Sequence, residues 1–354
     1  MDTIWIVPIE PIDSRYTKQW YENIPYLISV KERKLGSNLN VITIDGDNVP
    51  ENTTAGAFLN FGATNYYKAT QAAKISKMFM DGVVRAGDVF LVTDAWNFVI
   101  TPIRYMSDLL NIPVEIHGIW HAGAYDPSDI LGVKMGKEWS ANVERSWFYA
   151  ADFNYFATEF HRNMFLTNLG IPEEYHHKAI LAGQPYDYLP ELLEKYQDVE
   201  KTNSVLWPHR YNYDKQPEIA EDLANHLDVH ITQKQRLSKP DFYKLVGSCK
   251  VVFSCSLHEN LGTSIIESVL AGAVPVVPDR CCYGDIYLPE FRYPAEWTEN
   301  YQSYLKNKQQ LIDFINEKIT NYHSYKDLLE QQRNIIKNKY ISSDLMINQI
   351  LRKK

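Results

Sequence analysis

Short apolar runs alternate with longer stretches of helical period along this chain, a pattern that predicts parallel sheets covered by helices. In the first half the runs fall at 3–8 (TIWIVP), 41–44, 88–93 (DVFLVT), 114–120 (VEIHGIW) and 153–157 (FNYFA). Helices are expected near 17–33, 63–81, 98–110, 139–151 and 158–169. A further run at 178–182 (KAILA) leads into Gly183-Gln184-Pro185, and the acidic, strandless stretch 187–202 reads as a linker. The alternation then restarts. Strands are expected at 204–207 (SVLW), 229–231, 251–254 and 274–277, with helices at 216–226, 239–248 and 263–272. From 299 onward the chain is helical, ending in Arg352-Lys353-Lys354.

The expected fold class is therefore α/β, with two successive doubly wound units. In open parallel sheets the binding crevice lies beyond the carboxyl ends of the strands, so chemistry is sought just after each strand. A length of 354 residues fits two domains, and 45% hydrophobic with 23% charged residues excludes a disordered chain. Lys and Arg number 36 against 44 Asp and Glu, a net charge of −8. That balance argues against a protein held on nucleic acid by bulk charge, though a local basic groove stays open. No run approaches the roughly 20 apolar residues of a membrane span, and the first residues lack a signal-peptide pattern. The cysteines, Cys249, Cys255, Cys281 and Cys282, form no C-x-x-C pair and are expected as free thiols. A soluble, cytoplasmic protein with no membrane partner is the expectation.

The first strand of the second unit is followed by Trp207-Pro208-His209-Arg210-Tyr211-Asn212-Tyr213-Asp214-Lys215-Gln216-Pro217-Glu218. Arg210 offers a planar fork and Lys215 a point charge to phosphate oxygens, and the helix that follows adds unpaired N–H donors. Such a loop is also what a solvated surface turn looks like. The segment after the third strand of that unit separates the two readings. Glu259 lies on the loop and Glu267 lies inside the next helix, with Asn260, Leu261, Gly262 and Thr263 between them. A loop carboxylate can orient sugar hydroxyls, and one on the helix can accept both hydroxyls of a ribose. Gly262 lets the backbone approach a ligand closely.

The Glu-x7-Glu element and the Arg210/Lys215 pair resemble the donor half of retaining GT-B glycosyltransferases. Trp207-Pro208-His209-Arg210, Asp214-Lys215, Pro217-Glu218, His258-Glu259, Gly262, Glu267, Tyr283 and Pro289-Glu290 are similar to the tRNA-queuosine mannosyltransferase group. In the first half, Phe156-Ala157-Thr158-Glu159-Phe160-His161-Arg162-Asn163-Met164-Phe165-Leu166 resembles that group's Phe-Asn-Ser-x-x-His-Arg-x-x-Phe-Leu stretch. The N-terminal loop departs from it. Residues Ile9-Glu10-Pro11-Ile12-Asp13-Ser14-Arg15-Tyr16 stand where the group carries a Gly-Gly-Ser-His signature, and 45–65 has no counterpart.

The resemblance implies two facing Rossmann-like domains with a cleft between them: 1–186 on the acceptor side, 203–321 for the donor, and helices 322–354 packing back on the first domain. It implies a nucleotide-sugar co-substrate with no metal and no further cofactor. Arg210 and Lys215 would hold the diphosphate, Glu267 the ribose, and Glu259 with Asn260–Gly262 the sugar. His121, after the fourth strand, resembles the family's N-domain histidine, which contacts the donor sugar. Arg15, Tyr16, Asp126 and Arg162 are the acceptor-side candidates. Arg15 and Lys18 with Tyr16, Trp20 and Tyr21 make a basic-aromatic cluster able to stack an extruded base. The expected acceptor is a hydroxyl on a modified nucleobase, queuosine in tRNA or, favoured by the glycine-free loop and compact size, a hydroxymethylated pyrimidine in phage DNA. Transfer to a polysaccharide or lipid carrier is the alternative, and a non-catalytic nucleotide-sugar binding protein is the non-enzyme reading. Asp45-Gly46-Asp47 reads as turn chemistry, and His117, inside a strand, as a core residue.

Overall fold

A computed structural model describes residues 3–12, 15–34, 39–54, 57–235 and 237–351. Asp13 and Ser14 of the glycine-free loop and the Arg352-Lys353-Lys354 end lie outside the described residues. The chain divides into two units. The first gathers Met1–Ala157, Arg162–Tyr186 and Ser342–Lys354, and the second Thr158–His161 and Asp187–Ile341.

The first unit carries β1 (Thr3–Val7), β2 (Asn40–Thr43), β3 (Val89–Val92), β4 (Glu115–Ile119), β5 (Phe153–Phe156) and β6 (Ala179–Leu181) in the order β2-β1-β3-β4-β5-β6. All pairs are parallel, so each connection needs a crossover, and the intervening helices supply it. β1 and β3 are buried at every position, which explains their unbroken apolar runs. β2, at the edge, alternates between exposed and half-buried residues. Phe90, Ile116, Trp120, Phe148, Phe156 and Phe165 pack in the core, and the Trp120 indole N–H donates to Asn154 Oδ1 at 2.8 Å. His117 lies fully buried with Nδ1 at 2.7 Å from the Tyr155 hydroxyl and Nε2 at 2.8 Å from Glu115 Oε1.

The second unit carries β7 (Thr202–Trp207), β8 (Val229–Ile231), β9 (Cys249–Phe253), β10 (Val274–Pro278) and the short β11 (Arg292–Tyr293), in the order β11-β10-β9-β7-β8 and again all parallel. Both sheets are covered by helices, giving two Rossmann-like domains.

Two expected boundaries are corrected. The stretch 187–202 is not a bare linker: Leu189 and Leu193, four apart, are fully buried on helix Leu189–Glu194, beside helix Thr263–Leu270. The final helices do not pass to the first unit at 322. Helix Lys326–Ile335 stays with the second unit, where the Gln332 side chain donates to Ile286 O and accepts from Leu288 N, both at 2.8 Å. Only from Ser342 does the chain join the first unit, where Lys31 pairs with Asp344 and Met346, Ile347 and Ile350 are buried. Apolar spacing marks a buried face but not the core that receives it.

The first sheet changes direction between β1 and β3, and the residues after those strands bury charge. Lys68, 1% exposed, donates to Asp94 Oδ2 at 2.8 Å and to the Trp96 carbonyl at 2.6 Å. Glu10, fully buried, accepts from Thr64 Oγ1 at 2.6 Å; burial raises its pKa and Lys68 partly offsets the rise. Lys68→Met strands Asp94 without its partner and is expected to cost about 3–5 kcal/mol in urea unfolding. The double variant with Asp94→Asn should recover part of that loss, and an unchanged midpoint in the single variant would contradict the assignment.

Candidate functional site

In the second sheet the chain reverses direction between β7 and β9, so the crevice is lined by the loops that follow those two strands. Lys215 closes a 3-10 turn, Tyr213–Lys215. The next residue, Gln216, sits in the left-handed region at φ 50° and donates to the carbonyls of Cys255 (2.6 Å) and Thr298 (2.7 Å). This bend buries Lys215 to 6% exposure. Its Nζ lies 2.7 Å from Glu259 Oε1, 3.0 Å from Asp214 Oδ2 and 2.6 Å from the His258 carbonyl. Burial alone would lower the Lys215 pKa, but Glu259 and Asp214 raise it above the usual lysine value. Burial likewise works against the Glu259 carboxylate, yet Lys215 holds its pKa below the usual range. His209 is pushed down to about 3 by burial, so its imidazole is neutral; Nε2 lies 3.0 Å from Ser254 Oγ.

The loop 257–262 is tied down along its length. Leu257 N donates to Asp214 O at 2.7 Å, and Cys281 Sγ donates to Leu257 O at 3.3 Å. Thr158 Oγ1 donates to Asn260 O at 2.9 Å. Gly262 caps helix Thr263–Leu270 at φ 71°, ψ 52°, and a Cβ there would stand 3.2 Å from the Tyr283 ring. The left-handed backbone favours glycine here, and any larger residue would also push the Tyr283 ring back by a few tenths of an ångström. One turn into the helix, Glu267 shares a face with Thr263 and accepts from the Tyr243 hydroxyl at 3.4 Å. Burial pushes its carboxyl up to about 7, with Lys239 and Tyr243 opposing.

Thus Lys215 and Glu259 are in direct contact, and Asn260, Leu261, Gly262, Thr263 and Glu267 follow on one loop and helix. Arg210 is exposed on the loop after β7 and acts on His209 only through its field.

In the first unit, His121 follows β4. Its Nε2 lies 2.8 Å from the Thr93 carbonyl, which can only accept, so Nε2 carries the proton. Nδ1 then accepts from the Tyr16 hydroxyl at 3.1 Å, and burial lowers the His121 pKa, keeping the ring neutral. The Tyr16 ring stacks on His121 at 6.0 Å and on Phe58 at 5.6 Å, and the Arg15 guanidinium lies 4.1 Å over Phe58. Arg15, Tyr16 and His121 are therefore one assembly. Phe58, which joins them, was missed, its only signal being the small apolar run Ala57-Phe58-Leu59.

Asp126 and Arg162 are not part of that assembly. Asp126, fully buried, accepts from Ser128 N at 3.0 Å, and its carbonyl would lie 1.7 Å from a Cβ at Gly132, so it shapes the turn into helix Ile130–Met135. Arg162 donates to its neighbour Asn163 at 3.2 Å. Glu144 was also missed. It accepts from the Trp96 indole at 2.9 Å and from Ala124 N, with its carboxyl pushed up to about 7 by burial. Asp47 pairs with Lys74 at 2.7 Å beyond the edge strand β2. Among the described residues no group of three His, Cys, Asp or Glu side chains is arranged to hold a metal ion, and no helix is long and apolar enough to cross a membrane.

No family model matches the chain. A stretch of 124 residues is 24% identical to tRNA-queuosine alpha-mannosyltransferase from Drosophila melanogaster, covering 27% of this chain and 33% of that protein. The chain thus matches about a third of the length of that curated relative. Among solved structures, the apo form of the lipopolysaccharide outer core galactosyltransferase WaaB superposes with a TM-score of 0.63 at 12% identity over 100% of both chains. Sucrose-phosphate synthase from Thermosynechococcus elongatus gives 0.58 at 11% over 100% of both. HepE from Anabaena, solved with UDP and glucose, gives 0.56 at 13% over 100% of this chain and 98% of that one. The fold is that of the GT-B glycosyltransferases.

Glu267 makes the site's proton state measurable. Its pKa is raised from 4.5 to about 7 on folding. The stability it contributes is therefore complete below 4.5 and lost as pH rises through about 7. Glu267→Gln is expected to match the wild type at pH 4.5 and to exceed it by about 3 kcal/mol at pH 8 in urea unfolding. A difference that does not vary with pH would contradict the buried-carboxyl assignment.

Proposed function

We propose that the protein is a nucleotide-sugar-dependent glycosyltransferase that retains anomeric configuration. The observation carrying this reading is the buried Asp214–Lys215–Glu259 group at the switch point of a GT-B domain, on the loop that ends at left-handed Gly262. HepE's UDP and glucose support a UDP-sugar as donor. In this reading Lys215 and Arg210 hold the diphosphate, Glu267 accepts the ribose hydroxyls, and Glu259, Asn260–Gly262 and Thr263 hold the sugar. Lys215 has three N–H donors, and the protein already engages it at three oxygens. An arriving phosphate oxygen displaces Glu259, whose carboxylate then turns to the sugar. Phosphate binding and sugar orientation are in this way one event.

The departing diphosphate is stabilised by Arg210, Lys215 and the N–H groups that open helix Thr263–Leu270. It takes the acceptor's hydroxyl proton on the face it leaves, so the new bond forms with retention. His121 contributes through Tyr16, since both of its ring nitrogens are engaged. The acceptor is a hydroxyl on a modified nucleobase. The mannosyltransferase match supports a tRNA acceptor, and the stacked Arg15, Phe58 and Tyr16 groups suit a planar base. Hydroxymethylated DNA is the second nucleobase substrate to test.

Incubation with UDP- and GDP-sugars should give slow donor hydrolysis, and mass spectrometry should find a hexose or pentose on tRNA or hydroxymethylated DNA. NMR of the product should show the donor's anomeric configuration. Lys215→Met should lower kcat/KM by about 10²-fold or more, the scale of losing one charge-stabilising donor. A wild-type protein that neither binds nor hydrolyses any donor would end the enzyme reading; sugar appearing only on oligosaccharides would end the nucleobase reading.

A further inference from the structure

The stretch 156–166, singled out in the sequence, has no part in the chemistry described above, yet its residues 158–161 are gathered with the second unit. Thr158 is 1% exposed. Its hydroxyl does two things at once: Oγ1 donates to Asn260 O at 2.9 Å and accepts from His161 N at 3.2 Å. The first bond holds the donor loop, and the second caps the start of helix Glu159–Asn168. Phe160 N donates to Asp285 Oδ2 at 2.7 Å, and the Tyr340 hydroxyl donates to Asp285 O, so the segment is held from a second side.

Every described peptide is trans, so the C=O of residue 260 and the N–H of Leu261 point in opposite directions. Fixing the Asn260 carbonyl on Thr158 therefore fixes the aim of the Leu261 N–H, the donor just ahead of left-handed Gly262. The carbonyls of Leu257 and His258 are held in the same way by Cys281 and Lys215. We propose that Thr158 is a positioning residue of the donor loop: its hydroxyl orients the 260–261 peptide so that the loop presents its N–H donors to the nucleotide-sugar. This rests on the glycosyltransferase reading and adds to it a residue that touches neither substrate.

The two jobs of the hydroxyl can be separated. Serine can do both, valine neither. Ionised aspartate accepts, and so keeps the helix cap, but has no proton for the Asn260 carbonyl. Thr158→Asp is expected to fold with a lower melting temperature, because its buried carboxylate faces the Asn260 carbonyl, while kcat measured well below that temperature falls by about tenfold or more, with KM for the donor moving less. Thr158→Val should lose both activity and melting temperature, and Thr158→Ser should restore both. Wild-type kcat in a folded Thr158→Asp, or a Thr158→Ser as impaired as Thr158→Val, would overturn the proposal alone. A wild type inert toward every donor would instead remove the glycosyltransferase reading, and this proposal with it.

Discussion

Lys215 is a buried ammonium between two carboxyl side chains, and much of the second unit is arranged to keep it there. A cation out of water is tolerable only when its donors are matched by oxygens at short range, and here Glu259, Asp214 and the His258 carbonyl supply them. The supports extend outward. Gln216 adopts a left-handed conformation to end the turn that carries Lys215, and Leu257 N is drawn onto the Asp214 carbonyl. Buried ion pairs of this kind are weak sources of stability, because desolvation offsets most of the attraction. Their value lies in being specific, and in the proposed reaction in being exchangeable: one oxygen partner can be traded for another of the same charge.

The same motif stands at the other switch point. In the first unit Lys68 is buried against Asp94 with Glu10 beside it, after β3 and β1. In the second, Lys215 is buried against Glu259 and Asp214, after β9 and β7. Parallel strands run their carboxyl ends to these points, where neighbouring connections leave toward opposite faces of the sheet and a gap opens. A gap lined by backbone ends is a place in such a domain where buried charge finds polar partners. The sheet order thus dictates where chemistry can sit before any catalytic residue is considered.

Much of this was legible beforehand. Apolar runs such as 89–92 and 274–277 announce strands buried on both faces, and the Glu259–Glu267 spacing with Gly262 announces a loop that turns into a helix. What escaped were features that depend on tertiary placement. Phe58 joins Arg15 and Tyr16 across some forty residues of sequence. Asp126 sits after a strand, as a ligand contact would, but its backbone is packed on Gly132. The passage of the chain to the first unit at Ser342 rather than 322 is set by which hydrophobic face receives Met346 and Ile350, and periodicity does not encode that. Leu189, Leu192, Leu193 and Tyr196 stand at i, i+3, i+4 and i+7, a helical spacing that the acidic residues around it led to be read as linker.

The proton states give the site a direction. His209 is neutral through the physiological range and contributes shape and a hydrogen bond to Ser254, not charge. Glu259 stays ionised, held by Lys215. Glu267 is the group that changes near neutrality. In the proposed role of Glu267, a protonated carboxyl would offer one fewer acceptor to a pair of ribose hydroxyls, and donor binding and ionisation would favour each other. In that proposed role, hydrogen bonds from the ligand's hydroxyls would offset the cost of ionising a buried carboxyl above pH 7. In the proposed reaction a buried carboxylate of this kind makes affinity depend on the ribose itself, while the phosphates are left to the exchange at Lys215.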